Sequence, residues 1–265
     1  NSNCYPLLGN NTLSGTIPKE IGLLKQLKKL DLSKNNISGT FPEKQIQNLK
    51  NLTELMLGGN LLSGTIPKEI GFLKQLKKLD LSSNNISGTL LGEHMQKLKN
   101  LEELVIEDNG ISGSIPTEIG KMTSLTRLNL RRNLLTGEIP SEIGQLTNLK
   151  EIRLENNNLR EKIQLDISLL KELIILTVDD KDLTGSLPGD VRTLKRCVLC
   201  GGNDFEVTSV HENFSEKTIY QERGFDKIDH FSCARLLTEN KDPEIVMSVY
   251  ACEVLQVACV ACSGK

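Results

Sequence analysis

The sequence predicts an α/β solenoid of about eight turns, each 24–25 residues long, followed by a separate C-terminal region. Residues 13–40 return as residues 62–89 with 26 of 28 positions identical, and a shorter unit repeats inside each copy. Self-similarity at a fixed period is the signature of a chain that stacks one small unit on the next. One asparagine recurs at steps of 24 or 25 residues, at Asn11, Asn35, Asn60, Asn84, Asn109, Asn133 and Asn157.

Each unit reads L-x-x-L-x-L-x-x-N-x-L-S-G-x-I-P-x-x-I-G-x-L, and Leu27, Leu30 and Leu32 begin one such unit. The alternation in x-L-x-L-x predicts a short strand whose leucines all point the same way. Such a strand cannot bury its face alone, so stacked strands form a parallel sheet over a continuous leucine core. We expect the recurring asparagine to bond backbone groups where the chain leaves the strand, which makes a structural asparagine ladder.

This pattern resembles the plant-type class of the leucine-rich-repeat family, whose signature is L-[ST]-G-x-[IL]-P, over residues 8–203. The resemblance implies a right-handed superhelix with a concave parallel sheet and an extra short strand around the S-G-x-I positions. It also implies an extracellular or receptor-borne interaction scaffold. Receptor ectodomains and inhibitors of secreted polysaccharide-degrading enzymes are the nearest functional classes that it suggests.

The repeat stops after about residue 203, which divides the chain into two predicted domains, a repeat domain at 1–203 and a cysteine-rich cap at 204–265. The paired-cysteine N-terminal cap of the family is missing, so we expect the chain to lack its natural beginning, which leaves Cys4 without an assigned partner. An even number of cysteines at one end predicts a disulfide-stapled cap in an oxidising compartment, with 15 possible pairings. The ending VACVAC resembles the cysteine-rich tails of algal members. The disulfide candidates are Cys197, Cys200, Cys233, Cys252, Cys259 and Cys262.

Three other interpretations of this C-terminal region are less favoured. The pairs Cys197-x-x-Cys200 and Cys259-x-x-Cys262 could bind zinc, but their separation far exceeds the usual spacing of such sites. A redox pair lacks the expected βαβ surroundings. Residues 245–262 are apolar, but they are short for a membrane span and carry Glu253 and Gln256, so a buried cap segment is favoured. No metal or cofactor is therefore predicted.

Outward positions of the predicted strands can be compared as columns across successive turns. One column alternates in sign from Lys29 through Arg127 to Glu151, and the simplest interpretation is a solvated, self-neutralised surface. The middle column breaks the alternation, and its arginine cluster could bind an acidic group. The candidate ligand-binding residues are Met56, Val105, Arg127, Asn129, Arg131 and Arg153.

Composition and motifs argue against several functions. A net charge of −2 gives no electrostatic case for binding nucleic acid or an anionic membrane. The sequence contains no nucleophile elbow, metalloprotease or nucleotide-binding motif, so no catalytic residue is assigned and an enzyme is not expected. Sequons predict a secreted or cell-surface glycoprotein. The N-glycosylation candidates are Asn10, Asn36, Asn51, Asn85 and Asn213.

The sequence therefore favours a non-catalytic extracellular scaffold that binds a protein, peptide or glycan. A structural or adhesive component of a wall or filament, assembled from copies of this chain, is the first alternative, and an enzyme inhibitor is the second. Ice binding is a remote alternative, suggested by columns of Ser and Thr that recur at residues 14–16, 38–40, 63–65, 87–89 and 112–114.

Overall fold

The computed structural model describes residues 8–162, 169–178, 182–185, 196–199 and 204–205, and it confirms the predicted leucine-rich-repeat solenoid. Two parallel sheets run along the stack. The described strands form one sheet in the order β16-β14-β12-β10-β8-β6-β4-β2 and another in the order β1-β3-β5-β7-β9-β11-β13-β15-β17. Neighbours in each sheet come from consecutive turns, so each turn contributes one strand to each sheet. The predicted cap lies outside the described residues.

The first sheet, called the concave sheet below, consists of short strands that carry the x-L-x segment of each turn. In the strands between residues 29 and 153, the central leucine or isoleucine faces the core and the flanking residues face outward, as in the buried Leu55 between Glu54 and Met56. Its strands are β2 (Lys29–Asp31), β4 (Glu54–Met56), β6 (Lys78–Asp80), β8 (Glu103–Val105), β10 (Arg127–Asn129), β12 (Glu151–Arg153), β14 (Ile175–Val178) and β16 (Arg196–Leu199).

The second sheet, called the lateral sheet below, contains the extra strand that the S-G-x-I motif implies. Its strands follow the recurring asparagine of each turn and pair in parallel with the strand of the next turn, offset by two residues, so that Ser63 lies opposite Asn85 and Thr65 opposite Ser87. They are β1 (Ser14–Thr16), β3 (Asn36–Gly39), β5 (Leu61–Thr65), β7 (Asn85–Thr89), β9 (Gly110–Ser114), β11 (Leu134–Gly137), β13 (Asn158–Lys162), β15 (Asp182–Gly185) and β17 (Asp204–Phe205).

A helical turn closes each unit, and its type follows the length of the unit. We number turns from one ladder asparagine to the next, so turn 1 starts at Asn11 and turn 6 at Asn133. Turns 2 and 4 have 25 residues and contain α1 (Glu43–Ile46) and α2 (Gly92–Met95). The other four have 24 residues, and in them the wider α-helical turn is replaced by a tighter 3₁₀ turn. The 3₁₀ segments are Lys19–Leu23, Lys68–Phe72, Thr117–Lys121 and Ser141–Gln145.

The recurring asparagines hold consecutive turns together through buried hydrogen bonds. Asn60 is typical, because its Nδ2 donates to the carbonyl oxygens of Leu32 at 2.9 Å and Leu57 at 3.0 Å. Its Oδ1 accepts from the backbone N–H of Ile37 at 3.0 Å. One side chain therefore satisfies backbone groups of two turns at the bend where both leave the concave sheet. The same arrangement recurs at Asn35, Asn84, Asn109, Asn133 and Asn157.

The glycine of the S-G-x-I motif is required by both backbone and packing. Gly88 has φ +81°, in the left-handed region that favours glycine. An added Cβ there would lie 2.8 Å from the Cγ2 of Thr65 in the preceding turn. Gly64 approaches Thr40 in the same way, at 2.9 Å. Each of these threonine methyl groups thus packs over the glycine of the next turn and sets how closely the lateral strands stack.

Candidate functional site

Outward charges of the concave sheet meet in pairs between neighbouring strands. Lys29 Nζ lies 2.6 Å from Glu54 Oε1, and Lys78 Nζ lies 2.6 Å from Glu103 Oε1. The hydrogen bond from Lys78 to Glu103 raises the pKa of this lysine above 10.5, and the charges of Glu103, Glu54 and Glu102 add to the effect against the opposing desolvation. These partly exposed pairs contribute little stability, about 0–1 kcal/mol each.

Arginines and glutamates of turns 5 and 6, together with Glu107 at the end of turn 4, form two groups of ion pairs in place of the separate lysine pairs. Arg127 Nε lies 3.3 Å from Glu151 Oε2, and Arg153 donates from its Nε to the other oxygen of the same carboxylate. The next outward column forms a second group. There Arg131 Nε lies 3.3 Å from Glu155 and 3.8 Å from Glu107. We call these six residues the charge network: Arg127, Arg131, Arg153, Glu107, Glu151 and Glu155.

Neutral side chains complete the charge network and bury part of it. Asn129 donates from its Nδ2 to Glu107 Oε2 at 2.7 Å, and it is only 1% exposed. Thr177 of the next strand donates from its Oγ1 to Glu155, whose residue is 6% exposed. The Nε atoms of Arg127 and Arg131 are also buried, and they meet carboxylates at ion-pair distance without an aligned hydrogen bond. The network is therefore a partly desolvated surface that is already organised before any partner arrives.

The candidate binding residues divide into two groups by accessibility. Arg127, Arg131 and Arg153 remain partly exposed, as does Met56. Asn129 and Val105 are buried by their neighbours, so they support the surface but offer little area for contact with a ligand. The sequence analysis did not identify Thr177. The repeat places Thr177 opposite Arg153 in the next strand of the sheet, so its position could have been derived from the sequence.

Three arginines and three glutamates make the charge network neutral as a whole. A ligand carboxylate that approached Arg153 would have to compete with Glu151, which already occupies its Nε. A partner that carries both signs of charge can exchange ion pairs with the network without leaving a buried charge unpaired. The geometry therefore suits a polar partner of mixed charge better than a simple acid.

The serines of the lateral sheet donate hydrogen bonds to the backbone of the preceding turn. Ser38 donates its hydroxyl to the carbonyl oxygen of Gly15 at 3.2 Å, and Ser87 donates to that of Gly64 at 3.3 Å. Ser63 and Ser112 make the same contact with the glycine of the preceding turn. The serine column, one of the two columns of hydroxyl groups that suggested ice binding, therefore forms hydrogen bonds between stacked turns.

Four of the five sequons fall on described residues and all four asparagines are exposed. The Nδ2 of Asn51, to which a glycan would be joined, donates to the carbonyl oxygen of Lys25 at 3.0 Å. Asn36 and Asn85 stand at the start of lateral strands. Asn213 lies outside the described residues, as do the side chains of all six cap cysteines and Cys4.

Within the described part of the chain, no group of three or more His, Cys, Asp or Glu side chains is placed to hold a metal ion. Of the two CxxC motifs considered for zinc, the structure describes the backbone of Cys197 and no cysteine side chain.

None of the described helices combines the length and the apolar character that a membrane crossing requires. Residues 245–262 lie outside the described residues.

Comparison with known proteins identifies the family. The leucine rich repeat family matches residues 25–86 and 99–159. The plant peptide hormone receptor RGFR1 in complex with RGF2 is similar over 75% of this chain and 32% of its own, with 34% identity and a TM-score of 0.69. The ectodomain of the Arabidopsis receptor kinase HAESA, in complex with an extended IDA peptide hormone, is similar over 76% and 34%, with 33% identity and a TM-score of 0.67. The chain belongs to the leucine-rich-repeat family, in its plant type.

A plant ice-binding protein shares the fold over 78% of this chain and 84% of its own, with 23% identity and a TM-score of 0.58. That identity indicates a common architecture alone. The chain spans about a third of the length of the receptor structures it matches. No curated protein matches the chain.

Proposed function

We propose that this chain is a non-catalytic, extracellular scaffold that binds a peptide or protein along the concave sheet, with the charge network of turns 5 and 6 as the main contact. The observation that carries the proposal is the network itself. It contains Glu155, which at 6% exposure is the most buried charged residue described on the concave sheet. Burial makes such groups costly to leave unpaired, so they discriminate strongly between matching and mismatching partners.

Two further points support this proposal. A parallel sheet that carries its outward side chains in straight columns offers an extended ligand a continuous surface. The receptors RGFR1 and HAESA, which share this fold at 34% and 33% identity, were each solved with a peptide hormone. This chain corresponds to only a part of each receptor. We therefore infer the chemistry of its ligand from the side chains of this chain. Mixed charge, with an acidic group facing Arg153, is the chemistry that we infer for that ligand.

The proposal is tested by selecting peptides from a random displayed library on the full chain and measuring their affinity for variants. We expect the selected peptides to carry both acidic and basic residues. Arg153→Ala should weaken their binding at least about tenfold, as loss of a partly buried charge contact does. Lys29→Ala, which removes an exposed charge from the same sheet, is the matched control and should change affinity less than about threefold.

Two outcomes would contradict the proposal. One is that selection enriches no sequence above the unselected library. The other is that the peptides bind Arg153→Ala and Lys29→Ala equally well, which would place their site elsewhere. Hydrogen exchange of the complex locates the contact independently, and we expect protection in β10 and β12.

A further inference from the structure

The lateral sheet carries an exposed leucine on its outer side, between two asparagines that begin sequons. Leu61 opens β5 and is 53% exposed, although its side chain is apolar. The equivalent position, directly after the ladder asparagine, holds Asn36 in turn 2 and Asn85 in turn 4. Both asparagines are exposed, and each begins the sequence N-I-S. The leucine therefore has one candidate glycosylation site in the turn before it and another in the turn after it.

The pairing of the lateral strands sets how far these asparagines lie from Leu61. Leu61 lies opposite Ser38, and Asn85 lies opposite Ser63, because neighbouring strands are offset by two residues. Asn36 and Asn85 are thus diagonal neighbours of Leu61, at about 7–8 Å between Cα atoms. The two serines that lie directly opposite are small, and their hydroxyls bond to the backbone of the preceding turn. They leave room above the sheet for a sugar to reach the leucine.

The side-chain amides of these two asparagines are available for modification in the folded chain. Among the residues that the structure describes, none forms a hydrogen bond with the side chain of Asn36 or Asn85. Asn51, another sequon asparagine, instead uses its Nδ2 to donate to the carbonyl oxygen of Lys25 at 3.0 Å. A glycan on Asn36 or Asn85 therefore displaces no hydrogen bond that holds the turns together.

Turn 6 provides an internal comparison for Leu61. Leu134 holds the equivalent position, lies opposite Ser112 and is 54% exposed. Its equivalents in the adjacent turns are Gly110 and Asn158, and neither begins an N-x-[ST] sequence. A single exposed leucine is an ordinary surface feature and by itself indicates no partner. The position between two sequons is what distinguishes Leu61 from Leu134.

We propose that Asn36 and Asn85 carry N-linked glycans whose first sugars lie over Leu61 and cover the lateral sheet of turns 2 to 4. In the transfer, the amide nitrogen Nδ2 attacks C1 of the first sugar of a lipid-diphosphate-linked oligosaccharide. The bond from C1 to the diphosphate oxygen breaks, the lipid diphosphate leaves, and the amide loses one proton. The inference rests on the extracellular placement in the proposed function, because sequons are glycosylated in secreted proteins.

The chemistry of the first sugar suits the surface around Leu61. An N-acetylglucosamine presents ring C–H groups and an acetyl methyl group as well as hydroxyls. Its apolar side can therefore remove part of the leucine side chain from water, while its hydroxyls remain hydrated.

Glycans at these two sites would decide which face of the solenoid is open to partners. Two bulky glycans in turns 2 and 4 block the approach of a flat partner, such as ice or a second copy of this chain, to the lateral sheet of those turns. The described strands of the concave sheet contain no sequon asparagine. The concave sheet therefore stays accessible to a peptide while the lateral sheet is covered.

The test uses the full chain, directed into the secretory pathway of a eukaryotic host by a cleavable leader. Mass spectrometry of glycopeptides measures the occupancy of each site, and hydroxyl-radical footprinting measures the oxidation rates of Leu61 and Leu134. In the glycosylated chain we expect Leu61 to be oxidised at least about threefold more slowly than Leu134, because bulky sugars cover it. In Asn36→Gln/Asn85→Gln the two rates should be equal, as their exposures of 53% and 54% imply. The control Asn51→Gln removes a sequon outside the lateral strands and should leave Leu61 protected.

A second measurement avoids any effect of the substitutions on folding. Release of the glycans from the folded, unmutated chain by a peptide-N-glycosidase should also make the oxidation rates of Leu61 and Leu134 equal.

Three results would overturn the inference. These are a secreted chain without glycans at Asn36 and Asn85, equal oxidation of Leu61 and Leu134 while both sites are occupied, or loss of the protection of Leu61 in Asn51→Gln. Peptide binding is measured separately on the concave sheet. A secreted chain that binds its selected peptides but lacks these glycans contradicts this inference alone, whereas an occupied chain that selects no peptide contradicts only the proposed peptide site.

Discussion

Turns 1 to 4 and turns 5 to 6 share one backbone geometry but differ in how their outward charged side chains are arranged. In turns 1 to 4 the concave sheet holds isolated pairs such as Lys29–Glu54, and exposed lysines line the adjacent edge. In turns 5 and 6 that edge carries threonines, and the charge moves onto the concave sheet as the network around Arg131. The stacking geometry is the same in both, so the leucine core leaves the outward positions free to diverge. Partner binding is therefore expected to differ between the two halves, while the stability that the leucine core and the asparagine ladder supply is expected to be the same.

The asparagine ladder gives the largest expected effect and tests whether the two halves share one scaffold. Asn60→Ala and Asn133→Ala each leave buried backbone groups of two turns without a partner. At about 1–3 kcal/mol for each unsatisfied group, we expect either change to lower the free energy of unfolding by about 3 kcal/mol or more. Urea denaturation measures this, and a clearly smaller loss for Asn133→Ala would show that the second half is held differently.

The charges themselves should differ in their contribution between the halves. Arg131→Met leaves the buried carboxylate of Glu155 without its cation, and we expect a loss of about 2 kcal/mol. Lys29→Met removes one member of an exposed pair and should cost less than about 1 kcal/mol. The comparison is made by urea denaturation at two salt concentrations. Similar losses would mean that the network is no more desolvated than the lysine pairs.

The lateral sheet supplies a finer contrast between turns. Gly88→Ala and Gly137→Ala both place a Cβ at positive φ, which costs about 1 kcal/mol. Only Gly88→Ala also meets a threonine methyl group, since the nearest atom to a Cβ at Gly137 is Ser114 Cβ at 3.6 Å. We therefore expect Gly88→Ala to lose about 1–2 kcal/mol more in unfolding free energy. The second change Thr65→Ser should recover most of that difference, and no recovery would contradict the packing argument.

The smallest expected effect concerns the pH dependence of a single lysine pair. Glu103 raises the pKa of Lys78 in the folded chain, so the pair stabilises the fold fully below the unfolded pKa of 10.5. That stabilisation is lost as pH rises through the folded pKa, because the neutral amine no longer attracts the carboxylate. The difference in stability between the native chain and Lys78→Met should thus be present near neutral pH and shrink above about pH 10.5. A difference that grows with alkaline pH would have the wrong sign.

Much of the fold could be predicted because the repeat constrains it so tightly. The period of the asparagines places every turn, and the alternating leucines decide which side of each strand is buried. Comparing the equivalent strand positions of successive turns also predicted that Lys29 lies opposite Glu54 and that Arg131 lies between Glu107 and Glu155. The sequence did not predict which of the outward polar side chains are buried. Asn129 and Glu155 read as exposed polar residues, yet the long side chains around them cover them almost completely.

The sequence by itself determined the number of turns, their register and the columns of side chains, since these follow from periodicity alone. Only the tertiary structure decided which neighbours meet. Arg153 pairs along its own strand with Glu151, the serines turn inward to the preceding strand, and Asn51 bonds to the backbone of Lys25. These choices depend on side-chain rotamers and on distances between turns that a linear pattern does not contain.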